Sequence, residues 1–518
     1  MFRKIILGSR GSELALWQAN FTKTQLEKLG YTVEILIIKT KGDQIQHLSF
    51  DKIEGKGFFT KELEEALLDG TIDLAVHSHK DLPTTFPEGL TIAAVSYRED
   101  CSESILISPK ALNLNEHLGL KKGAIVGTSS ARRKSQLLNI RPDLIIKDLR
   151  GNVPTRINKL RDKMYDAIVL ASAGLNRLNI NLEDIHRNIV SPTTFIPAPA
   201  QGVLAFQIRE SDEDMKRIIL QINDASVAKS ISVERKVLNR MDGGCLLPLG
   251  VYCLFEEDKF KVWASLFLPE ENKFKRVYIE NNSAEESVNK VLNALVKEQS
   301  KTVYISRDQK EAAIFSKQLA GTGIEIIAEA PIAFEAINVN HIPLTDWIFF
   351  SSKTAVHYFF SQEIPYSSIS KFAAMGSTTA AALIELGINP SFVGNDKNTK
   401  TTSQDFMAVC KGTSVLFPGA KNGMRSIQQE IGDNAILQDV AVYQTIQKDI
   451  SSNIDADIHV FTSPSTVKSF LNQCKLPIKK AVAIGETTAS ALREHGISEV
   501  HIAPFTTEQG LADIVLGL

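Results

Sequence analysis

The cysteine at position 245 lies in Met241-Asp242-Gly243-Gly244-Cys245-Leu246-Leu247-Pro248-Leu249-Gly250. Two glycines before the thiol and a Pro-x-Gly after it leave little side-chain bulk around the sulfur, so a large flat group could be attached there. A lone cysteine is otherwise a small buried hydrophobe in a tight turn. Upstream residues favour attachment, because successive apolar strands end in loops rich in Arg, Lys, Ser and Thr. Lys4 to Leu7 runs into Gly8-Ser9-Arg10-Gly11-Ser12, with a helix over Glu13 to Leu26. Asp73 to Val76 ends in His77-Ser78-His79-Lys80-Asp81-Leu82-Pro83, and Ala124 to Val126 leads into Gly127-Thr128-Ser129-Ser130-Ala131-Arg132-Arg133. Leu144 to Ile146 reaches Asp148-Leu149-Arg150-Gly151-Asn152-Val153-Pro154-Thr155-Arg156, where Asn152 suits a helix cap and Pro154 its first turn. Ala167 to Leu170 ends in Ala171-Ser172-Ala173-Gly174-Leu175-Asn176-Arg177.

Any one of these arginines could be a solvated surface residue. Their recurrence at strand ends, several beside a helix N-terminus that itself favours anions, points to a ligand with several carboxylates, because guanidinium forks bind carboxylates in pairs. Phosphate is the rival anion, yet no G-x-x-x-x-G-K-[ST] loop and no G-x-G-x-x-G after a strand is present. His77 and His79 alone are too few for a metal site, and none is expected.

These loops must be positioned by α/β units, since strand, polar loop and amphipathic helix alternate through the first part of the chain, as in mostly parallel sheets. At 518 residues the chain needs several domains. With 58 Lys+Arg against 60 Asp+Glu, the near-neutral balance argues against general nucleic-acid affinity and makes any cationic cleft local. The five cysteines lack paired or C-x-x-C spacing, which points to a reducing compartment without disulfides or zinc. The short apolar run at Met1 to Gly8 is no signal peptide, and no later stretch approaches a membrane span, so the location is expected to be cytoplasmic. Pro197-Ala198-Pro199-Ala200-Gln201-Gly202 reads as a crossing between domains, after which a smaller unit carries Cys245. Lys297 to Lys301 reads as a polar linker, and each half is expected to fold alone if cut there.

Beyond the linker, a tandem repeat of roughly 110 residues appears. Phe349-Phe350-Ser351-Ser352-Lys353-Thr354 parallels Val460-Phe461-Thr462-Ser463-Pro464-Ser465, and Ala374-Met375-Gly376-Ser377-Thr378-Thr379 parallels Ala483-Ile484-Gly485-Glu486-Thr487-Thr488. Two similar α/β lobes follow, each with Ser and Thr at strand ends. These hydroxyls are either helix caps or the lining of a cleft between the lobes.

The first part of the chain resembles porphobilinogen deaminase through Gly8-Ser9-Arg10, His77 to Asp81, Gly127 to Arg133, Leu149 to Arg156, Pro197 to Gly202 and Gly243 to Gly250. The second resembles uroporphyrinogen-III synthase through the repeated strand-loop pairs and Val442-Tyr443-Gln444-Thr445. One departure is His79, where deaminases more often carry methionine. The resemblance implies an α/β protein: deaminase domain 1 over 1–97 and 195–215, domain 2 over 98–194, and a small α+β domain 3 over 216–298. Synthase lobe 1 would span 302–333 and 450–518, and lobe 2 would span 334–449, the lobes exchanging strands.

The implied activity joins porphobilinogens head to tail with loss of ammonia, releases hydroxymethylbilane, and cyclises it with inversion of the last ring to uroporphyrinogen III. Cys245 would bear a dipyrromethane cofactor through a thioether. Lys80, Thr128, Ser129, Arg132, Arg133, Arg150 and Arg156 would bind that cofactor, and Arg10, Ser12, Gln18, Phe59, Ser78 and Arg177 the substrate. Asp81 would steady the azafulvenium cation left by ammonia, its alternative role being a cap before Leu82-Pro83. In the synthase half, Ser352, Thr378, Thr462, Ser463, Thr487 and Thr488 would line the cleft, and Tyr443 would assist the departing hydroxyl unless its ring merely packs in a strand. Porphobilinogen and hydroxymethylbilane are the expected small-molecule partners, with no nucleic acid, membrane or obligate protein partner. Two other readings stand beside this one. The N-terminal domains could form an anion-binding module of the solute-receptor type, or the C-terminal half could be a tetrapyrrole-binding or regulatory module behind an active deaminase.

Overall fold

The computed structural model describes residues 4–40, 60–114, 116–241, 247–296, 301–320, 322–394, 399–423, 425–451 and 453–518. Cys245 and Phe59 lie outside the described residues, as do 297–300 of the linker.

The first sheet has the order β2-β1-β3-β10-β4 and contains β1 (Lys4–Ser9), β2 (Thr32–Ile37), β3 (Leu74–Ser78), β4 (Leu90–Val95) and β10 (Leu204–Arg209). β1 runs parallel to β2 and β3, whereas β10 is antiparallel to β3 and β4. After β4 the chain builds a second sheet, β7-β6-β8-β5-β9, and then returns as β10. Its strands are β5 (Glu103–Ile107), β6 (Ile125–Gly127), β7 (Ile145–Lys147), β8 (Ala167–Ala171) and β9 (His186–Val190). Here too the sequence-adjacent strands β6, β7 and β8 are parallel, and β5 and β9 join antiparallel. Each sheet has its own apolar core, one around Ile5, Leu74 and Phe206 and the other around Ile105, Val126 and Val169.

An antiparallel sheet of β11 (Leu249–Glu256), β12 (Lys259–Leu268) and β13 (Lys273–Asn281) follows, with helices Ala225–Arg240 and Ala284–Val296 on one face. Cys245 falls in the chain between helix Ala225–Arg240 and β11.

Two more α/β sheets complete the chain. One, β15-β14-β22-β23-β24, joins β14 (Lys301–Ile305) and β15 (Ile324–Ala328) to β22 (Ile458–Phe461), β23 (Ala481–Ala483) and β24 (Val500–Ile502), all parallel. The other, β16-β21-β20-β17-β18-β19, uses the intervening chain: β16 (Ile332–Ala336), β17 (Trp347–Phe350), β18 (Lys371–Ala374), β19 (Phe392–Val393), β20 (Ser414–Ala420) and β21 (Ile436–Gln447). The chain therefore crosses between these two lobes twice.

The two halves share an apolar seam that the sequence did not suggest. The last helix, Glu508–Gly517, packs against β13, and Phe505 and Ile514 join an apolar cluster with Trp263 and Tyr278. A cut at the linker would uncover these aromatic residues, so a separated deaminase half would expose apolar surface that the full chain buries.

Candidate functional site

The polar loops converge where β3, β6 and β7 end. Past β3 the chain makes one turn of 3-10 helix, His79–Asp81, which turns Lys80 inward and leaves Asp81 exposed. Lys80 Nζ donates to Gln201 Oε1 at 3.3 Å. Gln201 is fully buried and donates to the Cys101 carbonyl at 2.8 Å. Gly202 follows at φ 88°, and a Cβ there would lie 2.4 Å from the Glu99 carbonyl oxygen, so only glycine passes through the crossing.

After β6, Ser130 caps helix Ala131–Ile140 by accepting from the Arg133 N–H. This places Arg132 and Arg133 in the first turn, where both reach Glu103 on β5. Arg132 Nη2 donates to Glu103 Oε1 at 2.6 Å and Arg133 Nη2 to Glu103 Oε2 at 2.8 Å. Arg132 also donates to the Ile196 carbonyl at 2.8 Å, and Arg133 to the Val169 carbonyl at 3.0 Å. Burial alone would raise the Glu103 carboxyl, but Arg133, Arg132 and Lys80 overcome it and hold the group at about 2. The two guanidiniums are thus partly used by the protein, although Arg133 Nε is buried with no partner among the described residues.

The neighbouring loops close the cluster. Ser129 Oγ donates to the Leu149 carbonyl and accepts from the Leu149 N–H, each at 3.0 Å, which clamps the loop bearing Arg150. Thr128 Oγ1 accepts from the Ser130 N–H at 3.2 Å. Half-buried Arg156 donates from Nε to the Gly151 carbonyl at 2.7 Å. Burial pushes Arg156 down to about 10, with Arg133 adding to the shift and Asp81 opposing it. Lys80 is likewise pushed down to about 8 by burial, opposed by Asp81 and assisted by Arg133. Lys80, Asp81, Arg132, Arg133 and Arg156 therefore sense one another as one electrostatic group. Asp81 accepts no capping hydrogen bond, and none among the described residues ties its carboxylate down.

Other expected residues lie around this group. Gln18 Nε2 donates to Ser78 Oγ at 2.8 Å, and Arg10 is close enough to depress His77 further after burial has done most of the work. Arg177 sits over the Trp17 ring at 5.5 Å and donates to the Gly202 carbonyl at 2.7 Å, with its buried Nε unmatched among the described residues. Ser12 caps the first helix, accepting from the Ala15 N–H at 3.4 Å. In the C-terminal lobes, Ser352 and Ser463 cap helices Lys353–Phe360 and Pro464–Gln473. Thr462 Oγ1 lies 3.5 Å from Ser306 Oγ. Thr378 and Thr487 are exposed, but Thr488 is 1 % exposed and so does not line an open cleft. Tyr443 packs edge-on to Phe334 at 5.4 Å and stacks on Tyr358 at the same distance.

Several functional candidates carried no sequence signal. Glu103 reads as an isolated polar residue in an apolar strand. Glu234 and Arg235 read as surface charges on an amphipathic helix. Glu234 is fully buried and binds Arg98 at 2.7 Å and the Ala200 N–H at 2.6 Å, pinning the crossing. Arg235 donates to the carbonyls of Leu82, at 3.0 Å, and Pro83. Asn239 Nδ2 reaches the Thr84 carbonyl at 3.4 Å. The last two turns of the helix preceding Cys245 are therefore fastened to the backbone just after Asp81.

His77 and His79 are kept neutral. His77 Nε2 lies 3.0 Å from Gln207 Oε1 and is pushed down to about 4 by burial, and His79 falls to about 3 through burial and then Arg235. Because these folded values lie below the ordinary 6.5, the unfolded chain takes up protons first as pH falls. Their contribution to stability is present above pH 6.5 and is lost as pH falls towards about 3 to 4. The unfolding midpoint of a His79→Met variant is expected to fall less than the parent's between pH 6.5 and about 4, measured by thermal denaturation across that range. Equal pH slopes would contradict this.

The sequence matches known families along most of its length. Residues 5–217 match the family model described as "Porphobilinogen deaminase, dipyromethane cofactor binding domain", and 228–297 match "Porphobilinogen deaminase, C-terminal domain". Residues 313–513 match "Uroporphyrinogen-III synthase HemD". The porphobilinogen deaminase of Oceanobacillus iheyensis is 46 % identical over 259 residues, covering 50 % of this chain and 82 % of that protein. That of Geobacillus kaustophilus is 39 % identical over 311 residues, covering 60 % and 99 %. The solved uroporphyrinogen-III synthetase of Helicobacter pylori overlaps 42 % of this chain and 99 % of its own at 19 % identity, but its TM-score of 0.34 adds nothing to the assignment. The chain belongs to the porphobilinogen deaminase family, and a domain matching the uroporphyrinogen-III synthase family follows in the same polypeptide.

Proposed function

We propose that this chain carries out two consecutive steps of tetrapyrrole biosynthesis, polymerising four porphobilinogens to hydroxymethylbilane with release of ammonia and then cyclising the product to uroporphyrinogen III. The observation that carries the first step is the exposed Asp81 carboxylate beside a group of partly desolvated cations, Lys80, Arg133 and Arg156. A growing oligopyrrole bears an acetate and a propionate on each ring, and such cations exchange poor solvation for carboxylate contacts. Arg133 Nε and Arg177 Nε, buried without partners among the described residues, are donors of the kind that a polycarboxylate cofactor fits. When bound, that cofactor supplies the primer pyrrole to which the first substrate is joined.

Cys245 is the attachment residue. The other cysteines, Cys101, Cys253, Cys410 and Cys474, are all buried with free thiols, and burial pushes Cys101 up to about 11. Arg235 and Asn239 bring the chain leading to Cys245 against the Asp81 loop. Asp81 balances the positive charge left when ammonia departs and takes up and returns a proton at its carboxylate oxygen. Lys80, Arg150 and Arg156 orient carboxylates around it, with Arg132 and Arg133 held in place by Glu103. Arg10, Ser12, Gln18, Ser78 and Arg177 form the side on which incoming porphobilinogen is received.

For the cyclisation, the two lobes fold the linear substrate and hold its carboxylates, with Tyr443 donating to the departing hydroxyl. Among the described residues no helix is long and apolar enough to cross a membrane. We assign a reducing, cytoplasmic compartment on the free buried thiols. Supplying hydroxymethylbilane directly isolates the second step. The full chain is expected to form the type III isomer, with a smaller type III share from Tyr443→Phe. Type I alone from the parent chain would overturn the synthase assignment in favour of a tetrapyrrole-binding C-terminal half.

A further inference from the structure

The sheet β11-β12-β13 alternates cleanly. Val262, Ala264 and Leu266 on β12 face the helices of its own domain, while Tyr252, Trp263 and Tyr278 face the opposite way. An antiparallel sheet backed by helices on one side commonly leaves its other face to water. Here that face is closed by the last helix of the synthase half together with Cys101 and Ile196 of the deaminase, and Trp263 and Tyr278 are each 1 % exposed. The approach is close: a Cβ on Gly517 would lie 2.5 Å from the Tyr278 carbonyl oxygen.

A buried polar centre fixes the orientation of this helix. Asp513 is fully buried and accepts from Trp263 Nε1 at 2.9 Å and from Arg276 Nε at 2.9 Å. Arg276, 2 % exposed, also donates to the Thr193 carbonyl. Three residues further on, the Ile196 carbonyl accepts from Arg132 Nη1 and from Gln136 Nε2, each at 2.8 Å, and the Ile196 N–H donates to Gln136 Oε1 at 2.7 Å. The segment Thr193 to Ile196 is thus gripped by Arg276 on one side and by the arginine-bearing helix Ala131–Ile140 on the other. Lys317 of the synthase half meets the end of that same helix, donating to the Ile140 carbonyl at 2.8 Å, where a cation complements the free carbonyls.

We propose that the outer face of the deaminase's third-domain sheet is a docking surface for the synthase's terminal helix, and that Asp513 is a positioning residue of the deaminase, acting through Arg276 and Thr193–Ile196 on Arg132. This rests on Arg132 holding the cofactor. Coupling through such a chain of buried bonds changes function without touching substrate. The fusion then does more than tether two enzymes, because one lends the other part of its core.

The test uses the full-length chain. Asp513→Asn keeps the shape of the side chain and removes the charge that pins Arg276. At a temperature where circular dichroism shows it folded, it is expected to raise the KM for porphobilinogen about threefold or more and to lower cofactor occupancy by intact mass. Trp263→Phe, which keeps a ring and removes one donor to Asp513, is expected to shift both in the same direction by less, and it carries the test if Asp513→Asn does not fold. Unchanged KM and occupancy would overturn the positioning role, even with a lower unfolding midpoint, since a seam that only stabilises gives that pattern. Arg132→Leu, measured in parallel, separates the two ideas. A defect there with a normal Asp513→Asn overturns the seam alone, whereas a normal Arg132→Leu overturns the cofactor assignment and the proposal together.

Discussion

Replacing Asp81 by asparagine is expected to leave the chain folded and its cofactor attached while lowering deaminase turnover by roughly two to four orders of magnitude, the range that a positioned acid–base group contributes. The amide keeps the volume of the carboxylate and loses the charge opposite Lys80 and Arg156. Folding should survive because Asp81 is exposed, lies in a single 3-10 turn and caps no helix. Steady-state ammonia release and intact mass measure the two quantities separately. Near-normal turnover would move the acid–base role to another group.

Cys245→Ser is expected to abolish the thioether and with it essentially all deaminase activity, because Cys101, Cys253, Cys410 and Cys474 are all buried. Cys253 lies on β11 within the third-domain core and its thiol is pushed well up by burial, so it cannot substitute. The parent chain should exceed its polypeptide mass by one dipyrromethane, and the variant should match the bare polypeptide. An unmodified parent with full activity would contradict the attachment.

The parts of this molecule that were legible in sequence are those governed by local rules. Strand ends and caps followed from short patterns: Asn152 does accept from the Thr155 N–H, at 2.9 Å, and the polar loops after β3, β6 and β7 do meet at one place. Long-range pairings were not legible. β10 and β5 enter their sheets antiparallel after long excursions, which the hydrophobic pattern of a short buried strand does not distinguish from parallel pairing. Glu103 is the plainest example, since its role as the anchor of two arginines depends on β5 lying beside β8, not on any neighbour in sequence. Asp513 is similar. In Leu511-Ala512-Asp513-Ile514-Val515 it interrupts a buried helix face, yet its partners Trp263 and Arg276 lie some 240 residues away. For that reason the linker was visible in the sequence, and the buried seam on the far side of the sheet was not.

The most direct measurement is to give porphobilinogen alone to the purified full-length chain and to identify the uroporphyrinogen isomer that accumulates. Both activities on one polypeptide predict type III, formed with release of four ammonia molecules per macrocycle. Accumulation of type I, the product of spontaneous closure, or no ammonia release at all, would contradict the account.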